Sequence, residues 1–365
     1  MKILYVTTWY PTPDSPVAFP FVARDVAALS SRHSVTVVHL DPTGPRAPET
    51  ARSGDPDSPD IVRIGFQPAS PTSHRRARAL VQDLLPQHDI LHTAVATSII
   101  AIPRAVSDIP WAHTEHWTGL VHPSFKAKII GAQLRRPDVA VAVSSFTRNA
   151  LQRYRPRDSA VIWNIADADT PVTPWNRPPD TVRLIAIGAL VERKGPEHAI
   201  RTLRALRDDG IDTSLTWVGD GPLRGPIEAL VSQLGLEESI VLKGSIAPEQ
   251  VGTDIDAADI FFLPTQLETA NVACTEALIR GKQVVIGAPR GIGGPVDFAG
   301  SPHFQIVNDP TSVAENMEAL QAAITNLEVL DPSAIALKER PRFSSERFVE
   351  EYTDLYFRLL RSKSP

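Results

Sequence analysis

The sequence predicts an α/β protein of two doubly wound, Rossmann-like domains, each a parallel sheet with helices on both faces. Three observations predict it. Short apolar runs alternate with helical patterns from end to end, the chain is 365 residues long, and a proline-rich stretch breaks the alternation near the middle. Strands buried on both faces read as continuous apolar runs, and strand–helix alternation implies parallel strands joined by crossover helices. A chain of this length exceeds one ordinary core, so two domains of roughly 150 to 200 residues are expected.

In the first half, strands are predicted at 2–8, 34–40, 61–65, 89–92, 111–114, 138–143 and 160–163. Helices at 21–32, 75–85 and 144–153 lie between them, the last opened by Ser144 as N-cap. In the second half, strands are predicted at 182–188, 213–218, 239–243, 259–263, 283–287 and 304–307. Helices at 195–209, 222–235, 248–257, 271–280 and 311–326 intervene. Residues 41–60, rich in Pro, Ser, Gly and Asp, read as a mobile external loop. The stretch from Ala166 to Asp180, with Pro171, Pro174, Pro178 and Pro179, reads as a hinge. The last helix, from Ser345, carries Phe348, Tyr352, Leu355, Tyr356 and Leu359 on one face, suited to packing back on the first domain. The expected organisation is therefore 1–168 with 345–365, a hinge at 169–180, and 181–344. The two domains would face each other across a cleft, with ligands at the C-terminal ends of the strands.

Composition narrows the function. Hydrophobic content of 42% and charged content of 22% suit a globular protein, and a net charge of −5 provides no overall basic face for nucleic acid. The single cysteine, Cys274, excludes an internal disulfide and a cysteine-based zinc site, and its apolar helix suggests packing. No signal peptide or apolar run near 20 residues is evident, so the reading is of a cytosolic (cytoplasmic) protein, at most peripherally associated with a membrane. Arg75, Arg76 and Arg78 would supply such a contact or form a solvated helix face. The 33 prolines and the scarcity of lysine beside arginine point to a GC-rich bacterial genome.

The chemistry gathers in the second half. Ile260-Phe261-Phe262-Leu263 ends at Pro264, and a polar turn with Glu268 leads into an apolar helix that contains Glu276. A carboxylate on such a helix is costly to bury unless something hydrogen-bonds to it. Backbone N–H groups of residues 270 to 273, at the helix start, can hold an anion. Two carboxylates flanking an anion site suit a nucleotide sugar. The plainer reading is an i,i+4 pair of Glu276 with Arg280 and a turn carboxylate at 268. The loop from Gly188 to Gly195 presents Arg193 and Lys194, fit for a diphosphate or for a solvated turn. Val218-Gly219-Asp220-Gly221-Pro222 has Arg224 where a dinucleotide fingerprint needs its third glycine, and reads as a strand-to-helix turn whose backbone can still meet a ligand. Gly244-Ser245-Ile246 could read a base edge with its backbone, and the glycine-rich loop 287–295 offers Arg290 for phosphate or is a simple turn. In the first half, Trp111 to Gly119 ends a strand with His113, Glu115, His116 and Trp117. Strand alternation points the two histidines apart, against a shared metal. His116 then reads as a group that hydrogen-bonds a sugar hydroxyl or carries positive charge toward a reacting centre.

The order Gly188…Lys194-Gly195, Gly219-Asp220-Gly221-Pro222, Gly244, Pro264-Thr265, Glu268-x7-Glu276-Ala277 and Gly281-x-x-Val284-Val285 resembles the donor-binding half of the family 4 glycosyltransferases, retaining enzymes of the GT-B fold. Tyr10-Pro11, Phe21-Val22-x-x-Asp25-Val26-x-Ala28-Leu29, Thr114-Glu115-His116-Trp117, Val143-Ser144-Ser145-Phe146-Thr147, Asn164-x-x-Asp167 and Arg342-Phe343-Ser344 extend the resemblance over nearly the whole chain. It implies transfer of a hexose-type sugar from a nucleoside diphosphate, UDP by expectation, to a hydroxyl of a natural-product, glycan or lipid intermediate. No metal or other cofactor is implied. Lys194 would hold the diphosphate, Glu276 the ribose, and Glu268 the donor sugar near its 3- and 4-hydroxyls. His116 would line the reaction centre. Amides at Ala270, Asn271 and Val272 would carry phosphate charge, and Phe19, Phe21, Glu115 and Trp117 would stand on the acceptor side.

Three positions depart from the family pattern. Ala189 replaces an arginine after the strand glycine, residues 7 to 20 contain no glycine, and Thr269-Ala270-Asn271 replaces a glycine-aromatic-glycine turn. Arg193 or Arg290 would then supply the missing phosphate cation. Two other functions suit the same fold: a nucleotide-sugar 2-epimerase, distinguishable by incubating donor without acceptor, and a non-catalytic sugar-nucleotide-binding partner, which would bind without turnover.

Overall fold

A computed structural model describes the chain except residues 16–17, 53, 56, 107, 122–123, 157–158, 167–170, 173, 176–180, 269, 289–297, 299 and 364–365, and the side chain of residue 118. The chain divides into two compact units, Met1–Ile165 with Ser345–Pro365, and Ala166–Ser344. Most of the expected hinge, and Asp167, lie outside the described residues.

The sheet of the first unit runs β3 (Glu49–Ala51), β4 (Asp60–Gly65), β2 (Ser34–Asp41), β1 (Lys2–Thr7), β5 (Ile90–Ala94), β6 (Trp111–Glu115), β7 (Val139–Ala142), β8 (Ser159–Val161). Every pairing is parallel except that of β3 with β4. Helices α1 (Pro20–Ser30), α2 (Pro71–Leu84), α3 (Phe125–Ala132) and α4 (Ser145–Gln152) accompany it. The central strand β1 is buried at every residue after Lys2, as an inner parallel strand must be. The described residues of 41–60 are largely exposed, as expected of an external loop, but β3 forms within them. Its three residues are exposed and pair with Arg63, Val62 and Ile61 at the sheet edge, so no hydrophobic alternation marks them in the sequence. Helix α3 was also not anticipated, because its outer face carries exposed Phe125 and Ile129 and gives no clean amphipathic stripe. Helix α2 begins four residues earlier than expected, where Ser70 caps the Ser73 amide and Pro71 takes the first helical position.

The second unit holds β11 (Ile240–Gly244), β10 (Asp212–Val218), β9 (Thr181–Ile187), β12 (Ile260–Leu263), β13 (Gln283–Gly287) and β14 (Phe304–Val307) in that order, all parallel. Its helices are α5 (Pro196–Asp208), α6 (Arg224–Gln233), α7 (Pro248–Ala257), α8 (Val272–Leu278), α9 (Val313–Val329) and the unanticipated α10 (Pro332–Phe343). Both sheets start from a central strand, grow to one side and then to the other. Each therefore has a topological switch point, between β1 and β5 and between β9 and β12.

The final helix α11 (Ser345–Lys363) joins the first unit through the face read from the sequence. Phe348, Tyr352, Leu355 and Tyr356 are buried, and Leu359 packs partly buried beside them. Polar tips find partners as well: the Tyr356 and Tyr352 hydroxyls lie 2.6 Å from His92 Nδ1 and 2.7 Å from Thr114 Oγ1, and Thr353 meets His33 at 2.8 Å. These bonds avoid the cost of burying unpaired hydroxyls.

Two motifs 139 residues apart meet on α1. Asn164 Nδ2 donates to Asp25 Oδ2 at 3.0 Å, and Arg24 donates to the Ile165 carbonyl at 3.0 Å, which fixes the end of the Met1–Ile165 segment. Burial raises the Asp25 carboxyl to about 8, against the opposing pull of Asn164, the Ile165 amide and Arg24. The unfolded carboxyl titrates near 3.9, so between about pH 4 and pH 8 the native state holds a proton that the unfolded chain has lost. Stability from this group is full below that window and is lost as pH rises through it. Urea midpoints at pH 5 and pH 8 should therefore separate more in the wild type than in Asp25→Asn, and equal separations would refute the assignment. A second expectation concerns Gly195, whose φ is +71° and where a Cβ would lie 2.2 Å from the Pro264 carbonyl oxygen. Gly195→Ala should cost at least ~1 kcal/mol in urea unfolding, from the left-handed backbone alone.

Candidate functional site

In the second unit, the site forms where β9 and β12 end on either side of the switch point. The loop after β9 runs Gly188 to Gly195, and the loop after β12 runs Pro264 to Asn271. Glu268 Oε1 joins them: it accepts from Lys194 Nζ at 2.6 Å, Arg193 Nη1 at 3.4 Å and Thr265 Oγ1 at 3.0 Å. The backbone adds to the joint. The Arg193 carbonyl accepts from the Gln266 amide at 2.8 Å and from Thr265 Oγ1 at 3.1 Å. Glu268 is 7% exposed, so the carboxylate is held in a nearly dry setting by two cations and a hydroxyl. Among the described residues no bond falls on Oε2. The ammonium of Lys194 has three donors, of which Glu268 takes one.

The glycines of this edge admit backbone and side chain. A Cβ at Gly188 would stand 3.1 Å from the Lys194 side chain, so the missing side chain leaves room for the lysine to lie over the strand end. At Gly219 a Cβ would meet the Gly188 carbonyl oxygen at 2.2 Å, and the Gly219 amide donates to the Gly244 carbonyl at 2.8 Å. Gly219 is thus accounted for by packing between neighbouring strand ends, and Gly244 by its left-handed φ of +73°. Ser245 is exposed and Ile246 half-buried just beyond.

Helix α8 starts at Val272, one residue later than expected. Asn271, with a left-handed φ of 49°, is its N-cap and its Oδ1 accepts from the Cys274 amide at 3.1 Å. The cap takes the Cys274 amide, which lies outside the group of Ala270, Asn271 and Val272 expected to meet an anion. The cap brings something else: Asn271 Nδ2 is buried and has no partner among the described residues. Glu276 sits half-buried on α8, and Arg280 pairs with Asp256 at 2.6 Å. Cys274 is buried, as packing requires. Arg290 and Thr269 lie outside the described residues. Thr265 was visible in the sequence only as part of Pro264-Thr265, and its role in holding Glu268 needs the fold.

In the first unit, the C-terminal edge carries an aromatic cluster. Trp9, just beyond β1, stacks on Phe19 with centroids 4.9 Å apart and 7° between planes, and meets Phe21 edge-on at 6.2 Å. Phe21 lies 5.2 Å from the ring of His116, just beyond β6. Thr8 and Thr97 bond across the switch point at 2.7 Å. Trp9 was missed in the sequence, although its place directly after the first strand was the available signal. Burial and then His113 push the His116 imidazole down to about 3. His116 is thus neutral at physiological pH, which removes the reading of a positive charge and keeps that of a hydrogen-bonding ring. Its Nε2 is buried with no partner among the described residues. Glu115 corrects the acceptor-side expectation. It is fully buried, with Oε1 accepting from the Trp117 amide at 2.8 Å and Oε2 3.3 Å from His113 Nε2, so it shapes the strand end. Half-buried Trp117 lies under Lys126, whose Nζ is 5.7 Å from the ring centroid. No group of three or more metal-ligating side chains occurs among the described residues. No helix among them is long and apolar enough to cross a membrane.

Comparison with known proteins places the fold and its two regions. Residues 22–170 match the model described as Glycosyltransferase Family 4, and residues 172–335 match Glycosyl transferases group 1. The 2-deoxystreptamine glucosyltransferase of Streptomyces kanamyceticus is 31% identical over 153 residues, 42% of this chain and 37% of its own length. The chain spans half or less of the length of the curated relatives it matches first. Among solved structures, the sucrose-phosphate synthase of Thermosynechococcus elongatus superposes with a TM-score of 0.76 at 18% identity, covering 99% of this chain and 100% of that one. Anabaena HepE in complex with UDP and glucose has a TM-score of 0.70 at 15% identity, covering 97% and 99%. The fold is GT-B, and on it the chain carries a family 4 glycosyltransferase region followed by a group 1 glycosyltransferase region.

Proposed function

We propose that the protein is a retaining glycosyltransferase that moves a hexose-type sugar from a nucleoside diphosphate, UDP in the first instance, to a hydroxyl acceptor without a metal. The observation that carries this reading is the cluster of Lys194, Arg193 and Glu268 at the switch point of a group 1 glycosyltransferase region. Lys194 and Arg193 neutralise the diphosphate, whose oxygens compete with Glu268 for their donors. Arg193 then takes the place of the arginine that Ala189 lacks. Glu268 turns Oε2 to hydroxyls of the donor sugar, and Glu276 takes the ribose. The Gly244–Ile246 backbone reads the base. Charge that develops on the leaving phosphate is met by fixed cations and backbone amides, which need no reorganisation during the reaction. His116, neutral, hydrogen-bonds the sugar, and Phe19, Phe21 and Trp117 give the acceptor side its apolar wall. UDP is favoured by the HepE complex, and transfer over epimerisation or mere binding by relatives named as transferases.

Purified protein incubated with UDP-, GDP- and ADP-hexoses and a panel of hydroxyl acceptors, in the presence of EDTA, should transfer or hydrolyse at least one donor. The product should keep the donor's anomeric configuration by NMR. Binding without any turnover, or turnover that EDTA abolishes, would count against the proposal. Lys194→Ala and Glu268→Gln should each lower kcat/KM about 100-fold or more, equivalent to roughly 2.7 kcal/mol of transition-state stabilisation. The pH profile should show no ionisation near 6.5 that His116→Asn removes, since the imidazole stays neutral down to about pH 3.

A further inference from the structure

The first unit also holds a cavity lined by none of the candidate-site residues described above. Helix α2, the segment after β5, α3 and the turn after it line this partly open cavity of about 490 Å³, with His74, Arg78, Ile100, Arg104, Ile129 and Arg136 in its wall. Three guanidinium groups converge there, and among the described residues none of them has a carboxylate partner. Two are aimed by backbone. Arg78 Nε donates to the Ile100 carbonyl at 3.0 Å, and Arg136 donates to the carbonyls of Ile99, Ile102 and Pro103 at 3.1, 3.2 and 2.5 Å. Arg136 also lies over the Trp111 ring, 5.1 Å from its centroid. Carbonyls carry only partial charge, so they orient the arginines without neutralising them. Burial, with Arg78 and Arg104 adding to it, lowers the Arg136 pKa, as expected where like charges are gathered. Arg104 is exposed and donates no hydrogen bond to a described residue, so its place in the lining is not explained by capping. Nor is His74, which stacks on Phe66 while its Nε2 is buried with no partner among the described residues.

We propose that this cavity is a binding site for a phosphate-bearing ligand, with the phosphate among Arg78, Arg104 and Arg136 and the rest of the molecule against Ile100 and Ile129. Guanidinium matches phosphate in charge and in forked geometry. The volume lies within the roughly 300–1,000 Å³ of small-molecule sites, which is room for an organic phosphate. His74 Nε2 would find its missing partner on the ligand. The phosphate belongs either to a soluble ester or to a phospholipid headgroup, and the chemistry of capture is the same.

The test uses the full chain carrying Lys194→Ala, which removes the cation proposed for the donor diphosphate and keeps the two sites distinct. Calorimetric titration with glucose 6-phosphate should show saturable binding that weakens as salt is raised. Co-sedimentation with phosphatidylglycerol vesicles, compared with neutral phosphatidylcholine vesicles, tests the headgroup. Adding Arg104→Gln should weaken whichever binding is seen tenfold or more. Because Arg104 is exposed, the thermal unfolding of that variant should match its parent, and Arg136→Gln, whose loss uncaps three carbonyls, serves only as a second check. Binding of the soluble ester alone assigns a soluble ligand, and binding of anionic vesicles alone assigns a headgroup. No binding of either probe, or binding that Arg104→Gln leaves unchanged, overturns the proposal.

Discussion

Parallel pairing sends the C-terminal end of every inner strand to the same edge of its sheet, and the rest of this molecule follows from that constraint. In the second unit it brings the loop after β9 beside the loop after β12, although some 70 residues separate them. In the first it brings Trp9 and Phe21, which follow β1, beside His116, which follows β6. Because the direction of chain growth reverses between β9 and β12, no crossover helix fills the gap there. Residues gathered at such a point have space for a ligand, and two of the cations and the carboxylate of the candidate site stand at it.

Glu268 shows how such an edge is kept in order. One carboxylate oxygen takes Lys194, Arg193 and Thr265, and the Arg193 carbonyl returns two bonds to the same turn. Removing any member leaves another charge or donor poorly solvated, so the group acts as a unit. The glycines serve the same end. Gly195 lets the lysine-bearing loop pass against Pro264, and Gly188 lets the lysine side chain lie across its own strand end. Close approach of backbone to backbone is what these positions need.

Much of the fold could be read from the chain, because parallel inner strands are continuous apolar runs with helices between them. Strands β1 and β2, the run from β4 to β8 and all six strands of the second unit fall within a residue or two of where their hydrophobicity puts them. Two of the elements that escaped, β3 and α3, have a common cause. Strand β3 is exposed on both sides, and α3 turns Phe125 and Ile129 outward, so neither carries the periodicity that burial imprints. Of the candidate site, Lys194, Arg193 and Glu268 were marked by their places after predicted strands. Trp9 and Thr265 were not, because their roles arise from neighbours remote in sequence.

The sequence by itself determined the class of fold, the two-part organisation and the loops from which a ligand site is built, since these depend on local pattern and on glycine, proline and charge at strand ends. It also determined that the final helix has a face to bury. Only the tertiary structure decided that Glu268 is shared between Lys194 and Arg193, that Glu115 is spent inside the first unit, and that His116 is neutral. It alone gathered Arg78, Arg104 and Arg136, from three separate segments, into one cavity. The physical reason is the same in each case: ionisation and hydrogen bonding respond to burial and to neighbours a few ångströms away, and chain order does not record either.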